Sequence, residues 1–280
     1  MALANRIVFI GPGVMAEAMA TGLIHKAGVD AGQITFSGPR PKRLEELTQR
    51  YGSRVATDNR QAVEGAEVVV LSVKPQMAPD VADELNGAIP AGALVLSIVA
   101  GARLEGLARR LDHAALVRAM PNTPAQVGEG ITVWTATDAV TPSQKSQAQE
   151  ILGAFGTELF VGDEDYLDMA TALSGTGPAY VYLFMEAMVD AGVHLGFPRR
   201  IAEQLVVQTV KGSVAYYEKS PSHLARLRNQ VTSPGGTSAA ALYYLEKAGI
   251  RTALSRAIWA AYERSVELGL GKKRGPVRDG

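Results

Sequence analysis

Ile7-Val8-Phe9-Ile10-Gly11-Pro12-Gly13-Val14-Met15-Ala16 decides how this chain reads: four apolar residues run into two glycines, and an alanine stands three places after the second. The pattern fits G-x-G-x-x-G/A between a strand and a helix. Gly11 permits the tight turn, Gly13 lets the backbone approach a pyrophosphate, and Ala16 keeps the next helix close to the sheet. That helix is expected from about Met15 to Ala27, with Met15, Met19, Leu23 and Ile24 on one face. Its free N–H groups and dipole favour negative charge at its start. With 29 glycines in the chain a triplet alone is weak evidence. Its place between an apolar strand and a helix, within the first twenty residues, implies a dinucleotide site.

Outward from this stretch, short apolar runs alternate with helical patterns for about 160 residues, which predicts a parallel sheet with crossover helices. Ile34–Phe36 is a second strand, and a helix begins after Pro41. Val68–Val73 and Leu94–Val99 are apolar on both faces, as strands covered from two sides must be. Ala115–Val117 and Ile131–Val133 complete the series. The fold class is therefore α/β, an N-terminal Rossmann domain over residues 1–163 with a mostly parallel sheet. After the second strand, where a carboxylate would hold the ribose of NAD, stand Ser37, Gly38, Pro39, Arg40, Pro41, Lys42 and Arg43. A hydroxyl and three cations without a carboxylate favour NADPH, with NADH remaining open, and Ser37 and Arg40 are the better placed contacts. Lys74, directly after an apolar strand, is expected at the ligand crevice that parallel strands form at their C-terminal ends; a solvated loop lysine is the alternative.

Beyond about Asp163 β-branched runs give way to Ala, Leu, Met and Glu at helical spacing, over Tyr180–Leu195, Ile201–Glu218, Ala239–Ala248 and Arg251–Leu268. This predicts an all-α C-terminal domain over residues 164–270. Ala179, Val181, Leu183, Phe184, Ala187, Met188, Val189 and Ala191 cannot all face one neighbour, so burial on several sides is implied. A second copy of the chain is the expected partner, and a tightly packed monomeric bundle is the alternative. Residues 271–280 are basic and aperiodic and are expected to be a disordered tail.

Composition narrows the functions. Lys+Arg and Asp+Glu balance at 28 each, leaving no basic excess for nucleic acid. The chain has no cysteine, which removes disulfides and thiolate sites, and its histidines (His25, His113, His194, His223) have no metal-ligand spacing. No secretory pattern opens the sequence and no apolar run approaches the roughly 20 residues of a membrane span. A cytoplasmic protein with no metal, membrane or nucleic-acid partner is expected.

Three further segments stand out: Met120-Pro121-Asn122-Thr123-Pro124, Leu173-Ser174-Gly175-Thr176-Gly177-Pro178-Ala179-Tyr180, and Val231-Thr232-Ser233-Pro234-Gly235-Gly236-Thr237-Ser238. The last leads into a helix, and its glycines and hydroxyls make a nest of donors suited to a carboxylate; an N-capping loop with Ser233 or Ser238 as cap is the alternative. Together with the glycine-rich start, Thr57–Val63, Ser72–Gln76 and Ser97–Gly101, these segments resemble the pyrroline-5-carboxylate reductase family, which makes proline in its last biosynthetic step. The resemblance implies a helical dimerisation domain interlocked with a second subunit, often assembled further into decamers. It implies that Gly11 to Met15, Ser37, Asn59, Val73, Lys74, Pro75 and Ala100 line NADPH. It also implies that Glu164, Gln230, Ser233, Gly235, Gly236, Thr237 and Ser238 surround the substrate, with the N–H groups of the Pro-Gly-Gly turn on its carboxylate. Ser238, where the family more often has Thr, is the expected donor to the ring nitrogen, and Glu164 the expected orienter of water or charge. Pro12, where the family commonly has Ala, stiffens the glycine turn. Other imine reductases and β-hydroxyacid dehydrogenases share this arrangement; the latter need a lysine on the long interdomain helix, and Tyr180–Leu195 has none, Lys211 being the nearby option. A non-catalytic NADPH-binding scaffold is a third reading.

Overall fold

The computed structural model describes residues 4, 6–220 and 222–271; the expected tail lies outside them except for Gly271. The chain forms two compact units. One runs to Thr176 and resumes at Ala260, and the other spans Gly177–Trp259. The first unit thus extends beyond the boundary expected at residue 163 and takes in the end of the last helix.

The first unit opens with β1 (Ile7–Ile10), α1 (Val14–His25), β2 (Ile34–Ser37), α2 (Pro41–Tyr51), β3 (Arg54–Ala56) and α3 (Asn59–Val63). It continues through β4 (Val68–Leu71), α4 (Ala78–Glu84), β5 (Leu94–Ser97), α5 (Leu104–Leu111) and β6 (Leu116–Met120). Then follow β7 (Gly130–Ala136), α6 (Pro142–Gly153), β8 (Gly156–Phe160) and α7 (Asp165–Ala170). The strands form one sheet in the order β3-β2-β1-β4-β5-β6-β7-β8. It is parallel except where β7 runs against β6.

The apolar strands alternate between two cores. Ile7, Phe9, Val68, Val70, Leu94 and Leu96 pack on one face, and Val8, Ile10, Val69, Leu71 and Val95 on the other. This period of two on a doubly covered sheet is why these strands show no polar face in the sequence. The turn after β1, which reads as the ligand edge, sits where the order steps from β2 through β1 to β4, the reversal point of such sheets.

The second unit holds α8 (Gly177–His194), α9 (Arg199–Lys219), α10 (Leu224–Gln230), α11 (Thr237–Lys247) and the start of α12 (Ile250–Gly269). Its buried core is small, centred on Val189, Ala202 and Val206. Gly192 lets α8 and α9 approach closely, since a Cβ there would lie 3.0 Å from that of Ala202. Tyr182, Leu183, Phe184, Tyr216, Tyr217, Tyr243, Tyr244 and Trp259 are exposed. An apolar surface of this extent is what an uncovered oligomer interface presents. Among the described residues no helix is long and apolar enough to cross a membrane.

Candidate functional site

The glycine turn between β1 and α1 is shaped as its sequence requires. Gly11 has φ +99°, and a Cβ there would lie 2.8 Å from Val73 Cγ1 and 2.9 Å from the Ser72 carbonyl oxygen. No side chain at this position avoids both the backbone strain and the overlap. The Gly11 N–H donates to the Ser37 carbonyl (2.9 Å), and the Ser72 hydroxyl bonds the carbonyls of Ile10 and Gly11 (3.0 and 2.9 Å). Gly13 is the N-cap of α1, and no side chain caps that helix. Its first N–H groups therefore have no side-chain acceptor, which suits a pyrophosphate. The ring of Pro12 lies over Gly38, where a Cβ would come within 2.5 Å of Pro12 Cδ.

Around the end of β2 the expected contacts divide. Ser37 is fully buried, and its hydroxyl donates to Asn59 Oδ1 (2.7 Å), while Asn59 Nδ2 donates to Glu84 (2.9 Å). Ser37 and Asn59 thus meet, as a pair that joins β2 to the start of α3. Arg43 is held by the Pro12 carbonyl (3.1 Å) and by Glu17, which it pairs with closely. Burial opposes the ionised form of Glu17, but Arg43, Tyr51 and Arg50 outweigh it and hold this carboxyl below its ordinary range. Arg40, the N-cap of α2, and Lys42, on its first turn, are exposed. Lys74 is exposed, at the N-cap of a short turn Pro75–Met77. Pro75 and Ala100 share the wall of a cavity of about 320 Å³ with Gly101, Arg103 and Gly269.

Asn122 explains Met120–Pro124. It accepts from the Ile131 N–H (3.0 Å) and donates to the Ser174 carbonyl (3.1 Å). The loop thereby ties β6 and β7 to Thr171–Gly175, a π-helical turn. Glu164 stands just before α7, with Oε1 accepting from the Leu104 N–H (2.8 Å) and from Arg118 (2.9 Å). Arg118, buried on β6, also donates to Asp168 Oδ1 (3.0 Å), which accepts from Ser265 (2.7 Å). The sequence reading missed this network, although an arginine inside an apolar strand, Leu116-Val117-Arg118-Ala119, signals a buried charge that must be paired. The structure thus gives the Glu164 carboxylate two fixed donors in its own unit.

In the helical unit, Gln230 ends α10 and is exposed. Gly235 has φ +70°, and Gly236 is the N-cap of α11 with no side-chain cap. Neither Ser233 nor Ser238 caps this helix. The Gly236 N–H donates to the Ser233 carbonyl (3.1 Å), and a Cβ on Gly236 would meet Ser233 Oγ at 2.5 Å. The N–H groups of Thr237 and Ser238 begin an uncapped helix, an arrangement able to accept a carboxylate. Ser238 is half-buried on its first turn.

Comparison with known proteins places these features in context. Residues 164–268 match the family described as pyrroline-5-carboxylate reductase dimerisation, and residues 6–101 the family described as NADP oxidoreductase coenzyme F420-dependent. A pyrroline-5-carboxylate reductase of Synechocystis is 42% identical over 263 residues, covering 93% of this chain and 97% of its own. A solved pyrroline-5-carboxylate reductase of Coxiella burnetii is 37% identical with a TM-score of 0.86, covering 95% of this chain and 98% of its own. The pyrroline carboxylate reductase of Plasmodium falciparum, solved with NADP bound, is 32% identical with a TM-score of 0.87 over the same shares of the two chains. A reductive aminase of Aspergillus terreus, 18% identical with a TM-score of 0.57, shares the fold.

Proposed function

We infer that this chain, which belongs to the pyrroline-5-carboxylate reductase family, reduces 1-pyrroline-5-carboxylate to L-proline with NADPH. The observation that carries the reading is the coexistence of two uncapped helix N-termini, α1 behind its glycine turn and α11 behind the Pro-Gly-Gly turn. One suits a pyrophosphate and the other a small carboxylate.

NADPH, when bound, supplies a hydride from C4 of its nicotinamide to the imine carbon of the substrate. The chain's own residues bind and orient. Gly11 to Met15 hold the pyrophosphate, Val73, Lys74, Pro75 and Ala100 line the cofactor, and Ser37 with Asn59 shapes the ribose edge. Arg40 and Lys42 offer positive charge to a 2′-phosphate. Gln230, Ser233, Gly235, Gly236 and Thr237 frame the substrate, and the N–H groups at the start of α11 take its carboxylate. Ser238 hydrogen-bonds the ring nitrogen, which keeps the imine carbon electrophilic. An iminium arrives already protonated, so a strong general acid is unnecessary and positioning supplies much of the acceleration. Glu164 serves as a positioning group, because its carboxylate already accepts two donors.

The helical unit matches a dimerisation family, and its exposed apolar residues support self-association. We propose a homodimer as the minimal working unit, assembled further into a decamer, in the cytoplasm. The reading is tested by following NADPH and NADH consumption with fresh 1-pyrroline-5-carboxylate and quantifying proline. Proline formation with NADPH preferred supports it; no turnover of the imine, with NADP+ instead reduced by 3-hydroxy acids, would sink it in favour of a dehydrogenase.

A further inference from the structure

The segment after β5 carries Ala100, and it is fastened at both ends. At Gly101, with φ +75°, a Cβ would lie 2.7 Å from the Gly269 nitrogen and 3.0 Å from Leu268 Cβ. At Gly269 a Cβ would lie 2.7 Å from the Gly101 carbonyl oxygen. The backbone of this loop therefore rests directly on the end of α12, with room for no side chain between them. At its other end the loop enters α5, where the Leu104 N–H donates to Glu164 Oε1. The same oxygen accepts from Arg118, and Arg118 reaches Asp168, which accepts from Ser265 on α12. Arg103, on the loop itself, pairs with Asp165 (2.6 Å) and lies 3.7 Å from Glu164 Oε2. One helix thus holds the loop twice, by backbone contact at Gly269 and through a relay, buried at Arg118, Asp168 and Ser265, that runs from Ser265 to the Leu104 N–H.

We propose that this is a clamp that sets the loop carrying Ala100 against the cofactor, with Glu164, Arg118, Ser265 and Gly269 as its positioning residues. A buried ion pair is a poor source of stability, since apolar groups of the same shape often do as well or better. What this network adds is a fixed location for one backbone N–H. Ala100 is the neighbour of Gly101, whose backbone rests on Gly269, so a shift in the loop moves Ala100 with it. The proposal rests on the reading of the chain as an NADPH-dependent reductase.

The test uses the full-length chain with Gly269→Ala, Ser265→Ala, Glu164→Ala and Glu164→Gln. For each, the NADPH Kd is read from the cofactor's own fluorescence, the melting temperature is recorded, and kcat and KM are measured with the imine. Gly269→Ala and Glu164→Ala should raise the NADPH Kd about tenfold. They should also lower kcat by about 10- to 100-fold, as a misplaced reacting group does. KM for the imine should stay within about twofold, because the interactions lost are not with that substrate. Glu164→Gln, which keeps an acceptor for the Leu104 N–H, should recover most of the loss, and Ser265→Ala should show a weaker form of the same defect. An NADPH Kd equal to that of the wild type in Gly269→Ala and Glu164→Ala, whatever their melting temperatures, overturns the clamp and leaves the network a purely structural one. If the wild type fails to reduce the imine, the functional reading falls, and the NADPH Kd series still decides the clamp.

Discussion

Gly11 shows how a single residue carries both fold and function. Its φ of +99° and the absence of space for a Cβ make Gly11→Ala costly on two counts, with about 1–3 kcal/mol for the conformation alone. The variant should melt several degrees lower and bind NADPH weakly, measurable by calorimetry and fluorescence titration. Arg40 belongs to the same scale. Arg40→Ala should raise KM for NADPH and leave KM for NADH unchanged, since only the former carries the 2′-phosphate; equal effects would remove Arg40 from the cofactor site. Ser238→Ala should lower kcat/KM by about 10- to 100-fold, the worth of a hydrogen bond to a charged group, and Ser238→Thr should retain activity. For Glu17, folding favours the carboxylate, because Arg43, Tyr51 and Arg50 outweigh its burial. Its contribution to stability is complete above the ordinary carboxylate pKa of about 4.3 and fades as pH falls through the lower folded value. Glu17→Gln should therefore flatten the acid side of the melting-temperature profile; a profile unchanged from wild type would show that the Glu17–Arg43 pair does not survive in solution. At this scale the glycines were legible, because their roles follow from having no Cβ. The partners of Ser37, Arg43 and Glu164 were not, because hydrogen bonds across 22, 26 and 60 positions leave no local trace.

At the scale of elements, the apolar strands and the long helices read directly from the sequence, and their ends moved by a few residues. Val68–Val73 shortened to Val68–Leu71 because Ser72 leaves the ladder to bond the glycine turn. The edge strands β3 and β8 were missed. Val55, Leu159 and Phe160 are exposed, so neither strand shows the apolar run that burial on both faces imposes on β4 and β5. The helix α6 was also missed, although Thr141-Pro142-Ser143-Gln144 is a capping box with proline at the first helical position. The excess apolar surface of α8 and α9 was legible and is present. Leu183 and Phe184 on α8 are exposed, and charging them should dissociate the assembly without unfolding the glycine-turn unit. Leu183→Glu with Phe184→Glu should sediment as a smaller species with its NADPH affinity retained; sedimentation identical to wild type would place the interface elsewhere.

For the whole molecule, the sequence order of its motifs carried the family, and relatives that align along nearly the full chain bear it out. The end of α12 returns to the first unit, where Ser265 and Gly269 engage residues far earlier in the chain, and no change in composition marks that return. The assignment of roles to both halves of the chain rests on one chemical event, transfer of hydride to the imine carbon. The most direct measurement supplies NADPH deuterated on the transferring face of nicotinamide C4, together with 1-pyrroline-5-carboxylate, and examines the product by mass spectrometry and NMR. The account predicts L-proline carrying one deuterium on the ring carbon bonded to nitrogen and remote from the carboxylate, formed in step with cofactor oxidation. Proline without that label, or no proline while NADPH binds normally, would contradict it.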